Sequence, residues 1–195
     1  KTDLETEFAA LRERMSKGMP QDELVSRGEY FSAILMAEYL GFEFIDASRW
    51  LYFHYDGTID QGKSYATLRT LAKDKKVVIP GFYGLMPDGK IRTLTRGGSD
   101  ITGAIVSRAA KASLYENWTD VPGILTADPR IVKKPAPIAS LSYPELQLLS
   151  GAGTQVLHES AVAPVRAAQI PLQIRSTFEP ELPGTRISCE AHAQA

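Results

Sequence analysis

Lys76-Val77-Val78-Ile79-Pro80-Gly81 is the stretch that decides the fold. A continuous apolar run closed by Pro-Gly reads as a parallel strand covered on both faces, because flanking helices leave no polar side. Before it, Ser64 to Asp74 reads as a helix, and Phe42-Glu43-Phe44-Ile45 and Trp50-Leu51-Tyr52-Phe53 carry the aromatic and branched residues of strands. Further back, Asp22 to Leu40 is a helix closed by Gly41. Leu4, Phe8, Leu11 and Met15 share one stripe of a first helix, which Gly18-Met19-Pro20 stops. After the central run, Met86-Pro87-Asp88-Gly89-Lys90 has the Asp-Gly chemistry of a hairpin turn. Ile101 to Ala112 reads as a helix, Leu114 to Trp118 as a strand, and the chain then loops to Arg130. Helices near Tyr143–Leu149 and Glu159–Ala168 and a strand at Leu172–Ile174 follow, and from Phe178 the chain reads as a linker. Strands alternating with helices specify an α/β layer fold with a mostly parallel sheet.

Composition narrows the function classes. With 195 residues, 44% hydrophobic and 23% charged, the chain suits one domain that hides roughly 70% of its unfolded surface. Lys and Arg (22) nearly balance Asp and Glu (23), so no basic face points to nucleic acid. Apolar runs such as Ala161–Val165 are broken by Pro164 and fall far short of the roughly 20 residues that span a bilayer. The charged start, Lys1-Thr2-Asp3-Leu4-Glu5, is unlike a signal peptide. A single cysteine, Cys189, excludes an internal disulfide and a thiolate-rich metal site. A cytoplasmic location is the expectation.

Three stretches carry chemistry. In Thr95-Arg96-Gly97-Gly98-Ser99-Asp100 two glycines allow close backbone approach to a ligand, and the helix that follows offers N–H groups and its positive end. Arg96 adds a planar fork for a carboxylate or phosphate. The same stretch also reads as a tight turn with Ser99 or Asp100 capping the helix. Trp118-Thr119-Asp120-Val121-Pro122-Gly123 and Thr126-Ala127-Asp128-Pro129-Arg130 lie just past a strand, where open α/β sheets bind ligands. Both also read as ordinary Pro-Gly and Asp-Pro turns. In Asp22-Glu23-Leu24-Val25-Ser26-Arg27-Gly28-Glu29 a helical carboxylate can meet a substrate ammonium or simply be solvated. His54, His158 and His192 have no metal-ligand spacing, and no nucleophile elbow, P-loop or protein-kinase signature is present.

In this order these stretches closely resemble the catalytic domain of aspartate kinases, members of the amino acid kinase superfamily. The matching segments are Asp22–Glu29, Gly81-Phe82-Tyr83-Gly84, Arg96–Asp100, Trp118–Arg130 and Val156-Leu157-His158, spread from Asp22 to about Ile187. The pairing of Arg96–Asp100 with Trp118–Arg130 separates the family from N-acetylglutamate and uridylate kinases. The resemblance implies a three-layer α/β/α sandwich of the amino acid kinase (carbamate kinase-like) type. It implies phosphoryl transfer from ATP to the side-chain carboxylate of L-aspartate, giving 4-phospho-L-aspartate for lysine, threonine and methionine biosynthesis. By that likeness Glu29 meets the aspartate amino group, while Arg96, Gly97, Gly98 and Ser99 surround the substrate. Arg96 and Asp100 are the implied catalytic residues. Thr119, Asp120, Leu125, Arg130, Gln155 and Val156 are implied to hold the nucleotide, with Mg²⁺ bridging its phosphates and no metal site made of side chains alone.

Departures from the family pattern shape the remaining expectations. Nothing matches the family's opening strand and Lys-Phe-Gly-Gly-type loop, or the regulatory ACT domains that follow the catalytic domain. Leu125 stands where an aromatic is usual, and Gln155 where Lys is common. Residues 1–187 are therefore expected to form a partial catalytic domain and 188–195 a tail. A homo-oligomer, or a further segment or chain, is expected to complete the sheet beside Val77–Ile79. The isolated chain is expected to show no aspartyl phosphate formation, since with Arg96 on the aspartate only Arg130 is left as a motif cation for the triphosphate. The other functional readings are a non-catalytic regulatory module on the same fold and a kinase of another amino acid.

Overall fold

Asp3 opens helix α1 (Leu4–Ser16) by accepting the Thr6 N–H at 3.3 Å, which satisfies one of the unpaired donors of a helix start. The computed structural model describes residues 3–95, 97–128, 130–151, 157 and 159–189, with the side chains of 150, 151, 159 and 160 excepted. It divides into two units, Lys1–Ser99 and Asp100–Ala195.

In the first unit, α1 leans on helix α2 (Gln21–Leu40) through the Phe8 and Phe31 rings, 4.6 Å apart, and through an Arg14–Glu23 ion pair. Gly41 ends α2 in the left-handed region at φ 67°, as a helix-terminating glycine does. Strand β1 (Glu43–Phe44) runs parallel to β2 (Val77–Val78). The deciding apolar run is thus a strand in parallel pairing, but a short one, and Val77, Val78 and Ile79 are half-buried rather than covered on both faces. Among the described residues β2 pairs with β1 alone, which leaves one side of the strand less enclosed.

Trp50–Phe53 departs from the expected strand. It follows a 3-10 turn, Ala47–Arg49, and makes only single bridges, Tyr52 to Leu85 and Phe53 to Ile59. Its aromatic residues are there to fill the core, where Trp50 and Leu51 are fully buried. The Tyr52 N–H goes to the Ser64 hydroxyl at 3.0 Å instead of to a strand ladder. Helix α3 (Gln61–Leu71) supplies Ser64, and the hairpin β3 (Tyr83–Leu85) with β4 (Ile91–Thr93) turns at Gly89, φ 83°.

In the second unit, helix α4 (Gly98–Ala110), whose first two residues belong to the first unit, leads to strand β5 (Tyr115–Thr119). Then come β6 (Ser140–Ser142), α5 (Tyr143–Gly151), α6 (Glu159–Ala167), β7 (Leu172–Ser176) and β8 (Thr185–Ser188). The sheet order is β5-β7-β8-β6, with β5–β7 and β6–β8 parallel and β7–β8 antiparallel. Ala104, Ile124, Leu141, Leu146, Val165, Leu172, Ile174 and Ile187 form its core.

The linker expected from Phe178 is corrected here. Its Thr185–Ser188 portion is an interior strand, and Thr185 and Ile187 are fully buried. The two prolines Pro180 and Pro183 shape the turn between β7 and β8 rather than an exit from the domain. Tyr143 packs into this core with its hydroxyl donating to the Ile170 carbonyl at 2.6 Å, and burial pushes the phenol up to about 12. Tyr143→Phe is expected to cost about 1 kcal/mol, the net worth of one such bond, read as a small fall in denaturation midpoint.

Candidate active site

The first unit builds a glycine platform. The Leu94 N–H donates to the Phe82 carbonyl at 2.6 Å, bringing the chain after β4 alongside the turn before β3. There Gly98 lies so close that a Cβ would stand 2.7 Å from the Phe82 Cβ and 2.9 Å from the Leu94 Cβ. A Cβ on Gly81 would stand 3.2 Å from the Ser99 Cα. Two stretches singled out from sequence, Gly81–Gly84 and Gly97–Ser99, are therefore in direct backbone contact. Gly97 (φ 74°) and Phe82 (φ 61°) both adopt left-handed conformations. For Phe this costs energy, and such local strain clusters at ligand sites.

The platform opens the first turn of α4, the end of a helix that favours anions. Asp22, the first residue of the third stretch, binds Thr93 through the N–H at 3.2 Å and the hydroxyl at 3.1 Å. This ties the start of α2 to the strand that leads into the platform. Glu29 stands seven residues on, two turns along the same face of α2, with its side chain exposed. Arg96 lies outside the described residues.

The second unit presents the C-terminal ends of two parallel strands. The Thr119 carbonyl accepts from the Thr177 N–H (2.8 Å) and hydroxyl (3.0 Å), which ties β5 to β7 at that edge. The Thr119 hydroxyl donates to Asp120 at 3.2 Å. Leu125, half-buried, bridges to Pro137, and the adjoining Gly123 adopts φ 133°. Arg130 is exposed and forks onto Asp128 at 2.6 and 3.0 Å. Its hydrogen bonds hold the Asp128 carboxyl below its ordinary value, and Asp128 raises the guanidinium in turn. Gln155, Val156 and His158 lie outside the described residues.

Asp100 is held by residues not singled out from sequence. The Asn117 amide donates to its Oδ1 at 2.8 Å, and the Tyr115 hydroxyl donates to its backbone carbonyl at 3.3 Å. Burial first, then the Asp100 charge, pushes the Tyr115 phenol up to about 12. Gly103 makes this possible, because a Cβ there would run into the Tyr115 hydroxyl. The readable signal is the alternation of Tyr115, Asn117 and Thr119, which places three polar side chains on one face of β5.

Among the described residues no group of three or more His, Cys, Asp or Glu is placed to hold a metal ion, and no helix is long and apolar enough to cross a membrane.

Residues 1–176 match the family model described as the amino acid kinase family. Aspartokinase 3 of Bacillus subtilis is 42% identical over 126 residues, 64% of this chain and 28% of that protein. The lysine-sensitive aspartokinase 3 of Escherichia coli is 33% identical over 85% of this chain and 40% of its own length. Among solved structures, the Clostridium acetobutylicum aspartate kinase superposes with a TM-score of 0.90 at 42% identity, covering 100% of this chain and 44% of that one. Escherichia coli aspartokinase III in complex with aspartate and ADP superposes at 0.87 and 27% identity, covering 98% and 48%. The chain thus spans less than half the length of each of these relatives. It shares their α/β fold. By the family model and by these likenesses, the relatives named above being aspartokinases and aspartate kinases, the chain belongs to the amino acid kinase family.

Proposed function

We propose that the protein containing this chain transfers the γ-phosphoryl group of ATP to the side-chain carboxylate of L-aspartate. The observation that carries this reading is the close-packed glycine platform at the start of α4, made of Gly81, Gly97, Gly98 and Ser99. It occurs in a chain that superposes on an enzyme solved with aspartate and ADP.

The chemistry asks little of a general base. The nucleophile is a carboxylate with an ordinary pKa near 3.9, already ionised at neutral pH. The obstacle is bringing that anion to a polyphosphate, so positioning and positive potential supply most of the catalysis. Platform N–H groups and Arg96 hold the aspartate carboxylates, and Glu29 takes its ammonium. Thr119, Asp120, Leu125, Arg130, Gln155 and Val156 serve the nucleotide. Arg130 must leave Asp128 to reach a phosphate, an exchange that an exposed ion pair permits at low cost.

Mg²⁺ in phosphoryl transfer is held mainly by phosphates and water with one or two carboxylates. The donor set fits that pattern, since Asp100 offers one partly buried carboxylate. Bound there, the ion would neutralise phosphate charge. The Asn117 amide donates to the Asp100 Oδ1.

Glu29→Gln tests the assignment of the amino acid pocket. Loss of the charge is expected to lower kcat/KM for L-aspartate about tenfold, the difference between a charged and a neutral hydrogen bond. Nucleotide affinity, measured by direct binding, is expected to stay within about twofold. Equal weakening of ATP would place Glu29 in the phosphate site or in the fold. A substrate panel of L-aspartate, L-glutamate, N-acetyl-L-glutamate and UMP separates this reading from those of its kinase cousins, with ADP release expected only for L-aspartate.

A further inference from the structure

We infer that Asn117 is a positioning residue that acts through Asp100. This rests on the reading above, in which Asp100 belongs to the catalytic apparatus, and extends it to a side chain that has no assigned role.

The geometry is specific. Asn117 sits mid-strand on β5, with only 9% of its surface exposed. A buried amide is costly unless its donors are satisfied, and here the Nδ2 group has two partners, Asp100 Oδ1 at 2.8 Å and the Tyr115 hydroxyl at 3.3 Å. Tyr115 in turn donates to the Asp100 carbonyl. Backbone and side chain of Asp100 are therefore both gripped from one strand. Gly103, one turn further along α4, leaves room for the tyrosine.

The direction of donation matters. An amide N–H to a carboxylate is a charge-assisted bond, stronger than a neutral one. It occupies Oδ1, and so fixes where Oδ2 points. Carboxylate rotation about χ2 is otherwise broad. Two residues further along the same face of β5 lies Thr119, at the strand end assigned to the nucleotide. Asn117 therefore links the orientation of the acidic group to the strand that carries the nucleotide residues. It touches neither substrate itself.

Two substitutions in the full-length gene product test this. Asn117→Leu keeps a similar volume and removes the donor. Asn117→Asp keeps the shape but faces Asp100 with a second acceptor. Both are expected to lower kcat about tenfold or more, as misorientation of a reacting-site group does. KM for L-aspartate and nucleotide affinity by equilibrium binding are expected to stay within about twofold. Melting temperatures of the two variants serve as the fold check, and the loss of kcat in Asn117→Leu is expected without a matching loss of stability.

An active parent whose Asn117→Leu variant keeps parental kcat overturns the inference alone. So does a loss of kcat that tracks unfolding, or one accompanied by equal weakening of both substrates. A parent with no aspartate-dependent turnover overturns the functional reading, and the inference falls with it.

Discussion

Arg96→Ala in the full-length gene product is expected to lower kcat/KM for L-aspartate by about 30- to several-thousand-fold, while ATP affinity changes little. Aspartate brings two carboxylates and one ammonium, so its pocket needs a fixed cation and a fixed anion. Arg96, immediately before the Gly97–Ser99 platform, is the cation that the family resemblance puts there, and Glu29 is the anion. Truncating one partner of a desolvated charge pair costs about 2–5 kcal/mol, which sets the expected range. Arg96→Lys is expected to recover only part of the loss, because an ammonium cannot reproduce a two-pronged guanidinium contact. The discriminating readout is the pair of affinities measured separately. A variant that loses ATP as strongly as aspartate would move Arg96 to the phosphates.

The second large effect is on stability. Gly184→Ala is expected to destabilise the second unit by about 2–5 kcal/mol, adding a left-handed penalty of roughly 1–2 to the backbone displacement that overpacking forces. Gly184 sits at φ 71°, and a Cβ there would overlap the Ile174 carbonyl oxygen and stand 2.9 Å from its carbon. That carbonyl belongs to β7 in the middle of the sheet, so the displaced atoms are backbone, not the end of a pliable side chain. Thr185, next in sequence, accepts the Ile124 N–H at 2.8 Å and donates to the Ile138 carbonyl at 2.6 Å. A shift at Gly184 therefore loosens both loops. Chemical denaturation followed by circular dichroism reads the change, and a variant within about 0.5 kcal/mol of the parent would show that the turn relaxes without cost.

Elements with strong local signals were legible in the sequence. Helices α1 and α2 announce themselves through an apolar stripe and through Gly41, and the hairpin through Asp88-Gly89. Parallel pairing of Val77–Val78 follows from the continuous apolar run. What escaped depends on tertiary context. Trp50–Phe53 has strand composition, yet core filling and the Ser64 hydroxyl take over where a ladder would form. Thr185–Ser188 is only four residues long and preceded by Pro183-Gly184, so nothing local separates it from a linker. Its identity comes from pairing with β7 and β6.

The site shows the same division. The glycine stretches were readable because only glycine permits the approach of Gly98 to Phe82 and Leu94. For Asn117 the alternation along β5 marks only a polar face, and its partner is legible only once α4 brings Asp100 to 2.8 Å from it.

The most direct measurement is where the phosphoryl group goes. The full-length gene product, given L-aspartate and ATP labelled in the γ-phosphate, is quenched into hydroxylamine, which converts an acyl phosphate to a stable hydroxamate. Aspartyl β-hydroxamate is expected in amounts equal to the ADP formed, and no hydroxamate when L-aspartate is replaced by L-glutamate. ADP formed without aspartyl hydroxamate, or hydroxamate formed equally from another acid, would contradict it.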